Sequence, residues 1–236
     1  VKVEIWSDFI CPFCYMGKRK FELALEQFPN KTDIQIEYVS YQLDPNAMEQ
    51  SNKTIYEMLM EKYGRSFEEV KSMTGQITKQ AKEVGLEFRF DKMKHVNTLN
   101  AHRLVKLAKK HGKDKELVDL IFKSYFSEGK QIDNKQELNV LAVEIGLEEE
   151  EVDETLAMNC FLKAVKSDLE TAKEIGIQGV PFFVFNERYA ISGAQPVDVF
   201  LNVLEEVWKE NELEKTKIEN KNTCTTNYCT GKDCDS

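Results

Sequence analysis

The chain has 236 residues, 42% of them hydrophobic, and a formal net charge of −9. That length buries an ordinary core in one large domain, or in a domain carrying an insertion. Its acidity excludes a surface built to displace counterions from nucleic acid, and no apolar run approaches the ~20 residues of a membrane-spanning helix.

The opening "VKVEIW" alternates polar and apolar residues and reads as a strand. It lacks the basic-then-apolar order of a secretion signal. The expected location is therefore the cytoplasm, with a leader removed before Val1 left open. From Pro12 to about Phe28, Phe13, Met16, Phe21, Ala24 and Leu25 keep helical spacing until "PNK" interrupts it. "IQIEYVSYQL" (34–43) is a second strand, rich in β-branched and aromatic residues. Strand, helix and strand make a βαβ unit with parallel strands.

To about residue 157 the pattern then predicts five or six helices, with only a brief strand-like "LEFRF". Ser66 with Glu69, and Asn134 with Glu137, have capping-box spacing. Gly85, Gly112, Gly129 and Gly146 stand where helices run out. A helix over 160–176 follows, then strands over 180–186 and 188–193 close enough for a hairpin, and a helix over 196–210. The fold class is α/β: one mixed sheet flanked by helices and interrupted by an all-helical insertion. Residues 211–236 lose periodicity and read as a flexible polar tail.

Six cysteines are too sparse for a disulfide-stapled scaffold. Cys11 and Cys14 sit where the first strand gives way to the first helix. Zinc would need two further ligands, and the three histidines (His95, His102, His111) all fall in helical stretches. Two packed thiols would not explain Cys11 standing directly before Pro12. A redox pair accounts for both positions. Proline suits the first helical position, which leaves Cys11 at the cap, its sulfur facing unpaired N–H groups that favour an anion. That effect is worth at most about 2 kcal/mol, enough to bring a free thiol near neutrality. Cys14, one turn on, is the expected buried partner of higher pKa. Cys11 is thus expected to be exposed and to attack, and Cys14 to resolve. The intervening Pro12-Phe13 supplies no histidine to stabilise the thiolate further, which favours a middle or reducing potential.

A strand ending in "SDFICPFC", a helical block, then "GVPFFVF" (179–185) and "ISGAQP" (191–196) resemble the thioredoxin fold of DsbA-like thiol oxidoreductases. The likeness is to the FrnE-like branch, near hydroxychromene-carboxylate isomerase and kappa-class glutathione transferases. It covers about residues 1–210, the middle mainly through "NTLNAHRL" (97–104). It divides the chain into a thioredoxin-fold domain (1–50 and 157–210), a helical insertion (51–156) and a cysteine-containing tail (211–236). It implies a cis Pro181 facing the cysteines, with the backbone of Val180 free to pair with an extended substrate. It also implies an active-site role for Asp8, which as a loop residue could equally be a cap, and a cleft-bordering helix carrying Asn97 and His102. Cys160 reads as a packed thiol.

Some FrnE-like proteins carry a second Cys-x4-Cys pair, and "CTTNYC" places Cys224 and Cys229 at that spacing, with Cys234 spare. A flexible connector from residue 210 would span roughly 20 Å, which is the basis for expecting this pair to relay electrons to Cys11 of the same molecule. The function so implied is protein thiol–disulfide exchange, on protein or small-molecule disulfides, with no metal and no organic cofactor. The isomerase and transferase relatives typically have serine at the position of Cys11. A glutathione-dependent isomerase or transferase is the alternative, with glutathione as co-substrate, and a zinc-binding module is a third reading.

Overall fold

The computed structural model describes residues 1–223, with side chains through Lys215. Four strands form one mixed sheet in the order β2-β1-β3-β4. β1 (Lys2–Ser7) pairs in parallel with β2 (Gln35–Ser40) across α1 (Pro12–Gln27), and antiparallel with β3 (Phe182–Phe185). β3 and β4 (Tyr189–Ser192) form the expected hairpin. Its turn is made by Asn186 and Glu187, both at positive φ (47° and 58°).

Period-two alternation sorts the side chains of β1. Val3 and Ile5 face α1 and α9 (Val197–Thr223) in a core with Phe21, Phe183, Phe185 and Phe200. Trp6 faces the other way, into a smaller cluster with Val39, Ala172 and Ile177 under α8 (Leu162–Glu174). Phe21 packs on Phe200 and Phe28 on Trp208, so α1 and α9 run in the same direction, away from Cys11.

Between β2 and α8 lie α2 (Ile55–Tyr63), α3 (Phe67–Glu83), α4 (Leu99–Lys110), α5 (Asp114–Lys123), α6 (Lys135–Glu144) and α7 (Glu149–Ala157). A π-helical stretch over Ser124–Glu128 continues α5. α4 is the hub and is buried on nearly every side. Its Arg103 donates to the backbone oxygens of Thr155, Met158 and Cys160, which satisfies carbonyls left open where α7 ends. The buried Lys18 of α1 pairs with Glu22 and with Asp119 of α5, joining the sheet layer to the helices. No helix among the described residues is long and apolar enough to cross a membrane.

Local expectations fared unevenly. The Ser66–Glu69 capping box forms, and so does one at Thr54–Glu57 that was not anticipated. Asn134 caps α6 through Gln136 N and Glu137 N, without the reciprocal bond. The four helix-ending glycines all have positive φ. Residues 86–90 are not a strand: Phe88 and Phe90 are buried against the helices instead.

The larger correction concerns the C-terminus. Residues 211–223 continue α9 and are not a flexible connector. The segment is polar but made of good helix formers, and side chains anchor its start: Glu214 pairs with Arg188, and Lys215 pairs with Glu212 and lies over the Trp208 ring. Polarity without periodicity does not mean disorder here. Cys224, Cys229 and Cys234 lie outside the described residues.

Candidate active site

Cys11 is the N-cap of α1 and Pro12 its first residue. Cys11 N donates to Asp8 O (3.1 Å), and Cys11 O accepts from Cys14 N (3.0 Å), a tight turn that brings both sulfurs to the same end of the helix. Both are free thiols. The expectation that Cys11 is exposed is corrected: only 5% of the residue is accessible, because Val180 and the side chains of a neighbouring cavity close over it. Nor does its sulfur bond the helix N–H groups. It lies 3.5 Å from the Val180 carbonyl oxygen.

Cys14 is 1% exposed. Burial pushes its thiol well above the ordinary range, and hydrogen bonding to the Cys11 sulfur adds to this, against the opposing backbone N–H of Asp8. That N–H donates to Cys14 Sγ at 3.5 Å. A raised Cys14 thiol is what the sequence led us to expect of that position.

The Val180–Pro181 peptide is cis. Its approach to α1 depends on Gly17, a residue that no sequence pattern singles out. A Cβ at position 17 would stand 2.9 Å from Pro181 Cγ and 3.4 Å from Ala194 Cα. Only glycine lets the helix and this loop meet so closely.

The weaker sequence candidates converge on one loop. Asp8 is fully buried; its Oδ2 accepts from Leu43 N (2.7 Å), and its Oδ1 lies 3.5 Å from His102 Nε2. His102 does not border the cleft: it is 4% exposed and packs under Phe9. The side chain of Asn97 donates to Ala47 O (2.8 Å) and Pro45 O (3.4 Å) and accepts from Leu99 N (2.9 Å). Asp8 and Asn97 thus hold residues 43–47 from two ends. Cys160 is half-buried and stands apart, its carbonyl taken by Arg103.

Leu43 and Asp44, at the start of the loop over 43–47, line a cavity of about 400 Å³ that Cys11 also lines. α2 and α3 form the opposite wall through Met58, Leu59, Met73 and Ile77. Its mouth is ringed by exposed apolar groups, Phe13 (41%), Leu43 (40%) and Tyr63 (53%). His95, beside Asp44, also reaches it. Of these, the sequence singled out only Phe13, and His95 merely as a histidine set aside for zinc. On an amphipathic helix, residues that line a cavity and residues that fill a core follow the same spacing.

The chain as a whole is similar to known proteins. A family model described as a DSBA-like thioredoxin domain matches residues 2–205. The crystal structure of a probable DsbA oxidoreductase from Streptomyces coelicolor is 37% identical with a TM-score of 0.84, over 89% of this chain and 90% of that one. An uncharacterized protein of Bacillus subtilis, YwbO, is 26% identical over 212 residues, 89% of this chain and 98% of its own. A 2-hydroxychromene-2-carboxylate isomerase shares the fold at 13% identity, TM-score 0.67, over 90% of this chain and 98% of that one.

Proposed function

Because the chain belongs to the DSBA-like thioredoxin domain family, we propose that it is a protein thiol–disulfide oxidoreductase working through Cys11 and Cys14. In the reductive direction the Cys11 thiolate attacks one sulfur of a substrate disulfide. A Cys11–substrate bond forms as the substrate S–S bond breaks, and the second substrate sulfur leaves. Cys14 then loses its proton and attacks Cys11, releasing the first substrate sulfur and leaving a Cys11–Cys14 disulfide. The reverse sequence oxidises a dithiol. No metal or organic cofactor takes part.

The observation that carries this reading is the arrangement of two free thiols one helical turn apart, the N-terminal one facing the carbonyl before a cis proline. Val180 and Pro181 would hold an extended substrate across Cys11. Phe13 would contribute apolar contact, and Asp8 and Asn97 would act at a distance by fixing the loop over 43–47.

The cavity favours a protein segment with apolar residues near its cysteine over glutathione. Its walls are mostly apolar, with Met58, Leu59, Met73 and Ile77 on one side. The proposed compartment is the cytoplasm, where an unpaired Cys160 stays reduced.

The test is reduction of an insulin-type disulfide. Cys11→Ser should abolish turnover, and Cys14→Ser should accumulate a 1:1 mixed disulfide visible by intact mass. Full turnover by Cys14→Ser would move the assignment to a glutathione-activating site.

A further inference from the structure

The dipeptide between the cysteines, Pro12-Phe13, carries no proton donor, yet a titratable ring reaches the same cavity from 84 positions away. His95 stands just before α4, its backbone N donating to Lys53 O at 2.9 Å. Its side chain is 12% exposed, and the ring lines the cavity that Cys11 lines. Nε2 lies 3.1 Å from Asp44 Oδ2, a charge contact without a hydrogen bond, and is buried with no other partner.

The carboxylate is itself fixed relative to the cysteines. Asp44 follows Leu43, whose N–H bonds to Asp8, and the Asp8 backbone bonds to both Cys11 and Cys14. Besides His95, the titratable groups lining the cavity are Cys11, Asp44, Lys62 and Tyr63.

We propose that His95, in charge contact with Asp44 and lining the cavity that Cys11 lines, is the proton donor to the sulfur that leaves a substrate disulfide when Cys11 attacks. This rests on the oxidoreductase reading above. Attack is in line, so the departing sulfur lies about 4 Å beyond Cys11 Sγ, two S–S lengths away, inside the cavity. The lone pair of the Cys11 thiolate forms the new S–S bond. The electron pair of the broken bond stays on the departing sulfur, and the proton comes from the His95 imidazolium, which is left neutral and recovers a proton from water. Positioned proton transfer of this kind contributes typically 10²-fold or more.

The leaving group separates this role from a structural one. An aromatic thiol of low pKa departs without a proton, whereas an alkyl thiol benefits from one. In a Cys14→Ser background, which isolates the first step, His95→Gln should slow thiol release from an alkyl peptide disulfide by ~10²-fold. Release from an aromatic disulfide should change by less than about threefold. The alkyl-disulfide rate should rise and then fall with pH in the parent and lose its alkaline fall in His95→Gln. Equal slowing of both substrates, or of neither, overturns the proposal. Should His95→Gln not fold, Asp44→Asn, at a side chain 38% exposed, makes the same comparison: selective slowing of the alkyl disulfide supports the role, and equal slowing or none overturns it. Cys11→Ser is the separate control: if it leaves thiol release intact, the oxidoreductase reading fails, whatever His95 does.

Discussion

Cys11 stands between two faces of different construction. On one side lie the Val180 carbonyl, the cis Pro181, Gly17 and the backbone of Asp8, where position is fixed by main chain and a missing Cβ. On the other lie Met58, Leu59, Met73 and Ile77, flexible side chains on two helices. The first face tolerates almost no displacement, because thiol exchange needs three sulfurs in line. The second can repack around different substrates, as methionine-rich surfaces do. Under the proposed function, the backbone face would hold the chemistry and the side-chain face would choose the substrate.

The two faces should therefore respond differently to substitution. Gly17→Val sets a branched side chain against Pro181 and should lower kcat/KM by ~10²-fold on every disulfide, since misplacement of about 1 Å costs that much. A loss confined to large substrates would break the comparison. Asp8→Ala removes a fully buried carboxylate facing His102 and Leu43 N. It should destabilise the protein by about 3 kcal/mol, measured by urea unfolding. On the other face, Met73→Ser should act mainly through KM for protein disulfides with apolar flanks, raising it by ~10-fold. A matching loss on a small polar disulfide would show that the helical wall also serves the chemistry.

The smallest effect is a pH dependence. Burial raises the Cys14 thiol above its unfolded value, so the folded state holds that proton more tightly. This contribution to stability is complete below the unfolded value, near 8.5, and declines as pH rises through the interval up to the folded value, by at most about 1.4 kcal/mol per pH unit. The reduced protein should show that alkaline decline in urea midpoints, and Cys14→Ala should lack it.

The backbone face was legible in the sequence because its devices are residue types with few uses. A CxxC at a strand-to-helix junction, proline at the first helical position and a second proline before a short strand each restrict the chain to few conformations. Gly17 escaped, since its reason is a contact with residues more than 160 positions later. The helical wall was legible only as helices. Nothing in the spacing of Met58, Leu59, Met73 or Ile77 separates a lining side chain from a buried one. His95 followed no motif at all, and it meets Asp44 only through the fold. Asn97 and His102 belong to the right segment, but both act inside the protein, holding a loop and filling a core.

The shared direction of α1 and α9 has one more consequence. α9 starts beside the Gly17–Ala194 contact and runs for 27 residues, so Thr223 stands about 40 Å away from the reacting sulfurs. The far end of α9 could thus approach the proposed site only of a second molecule.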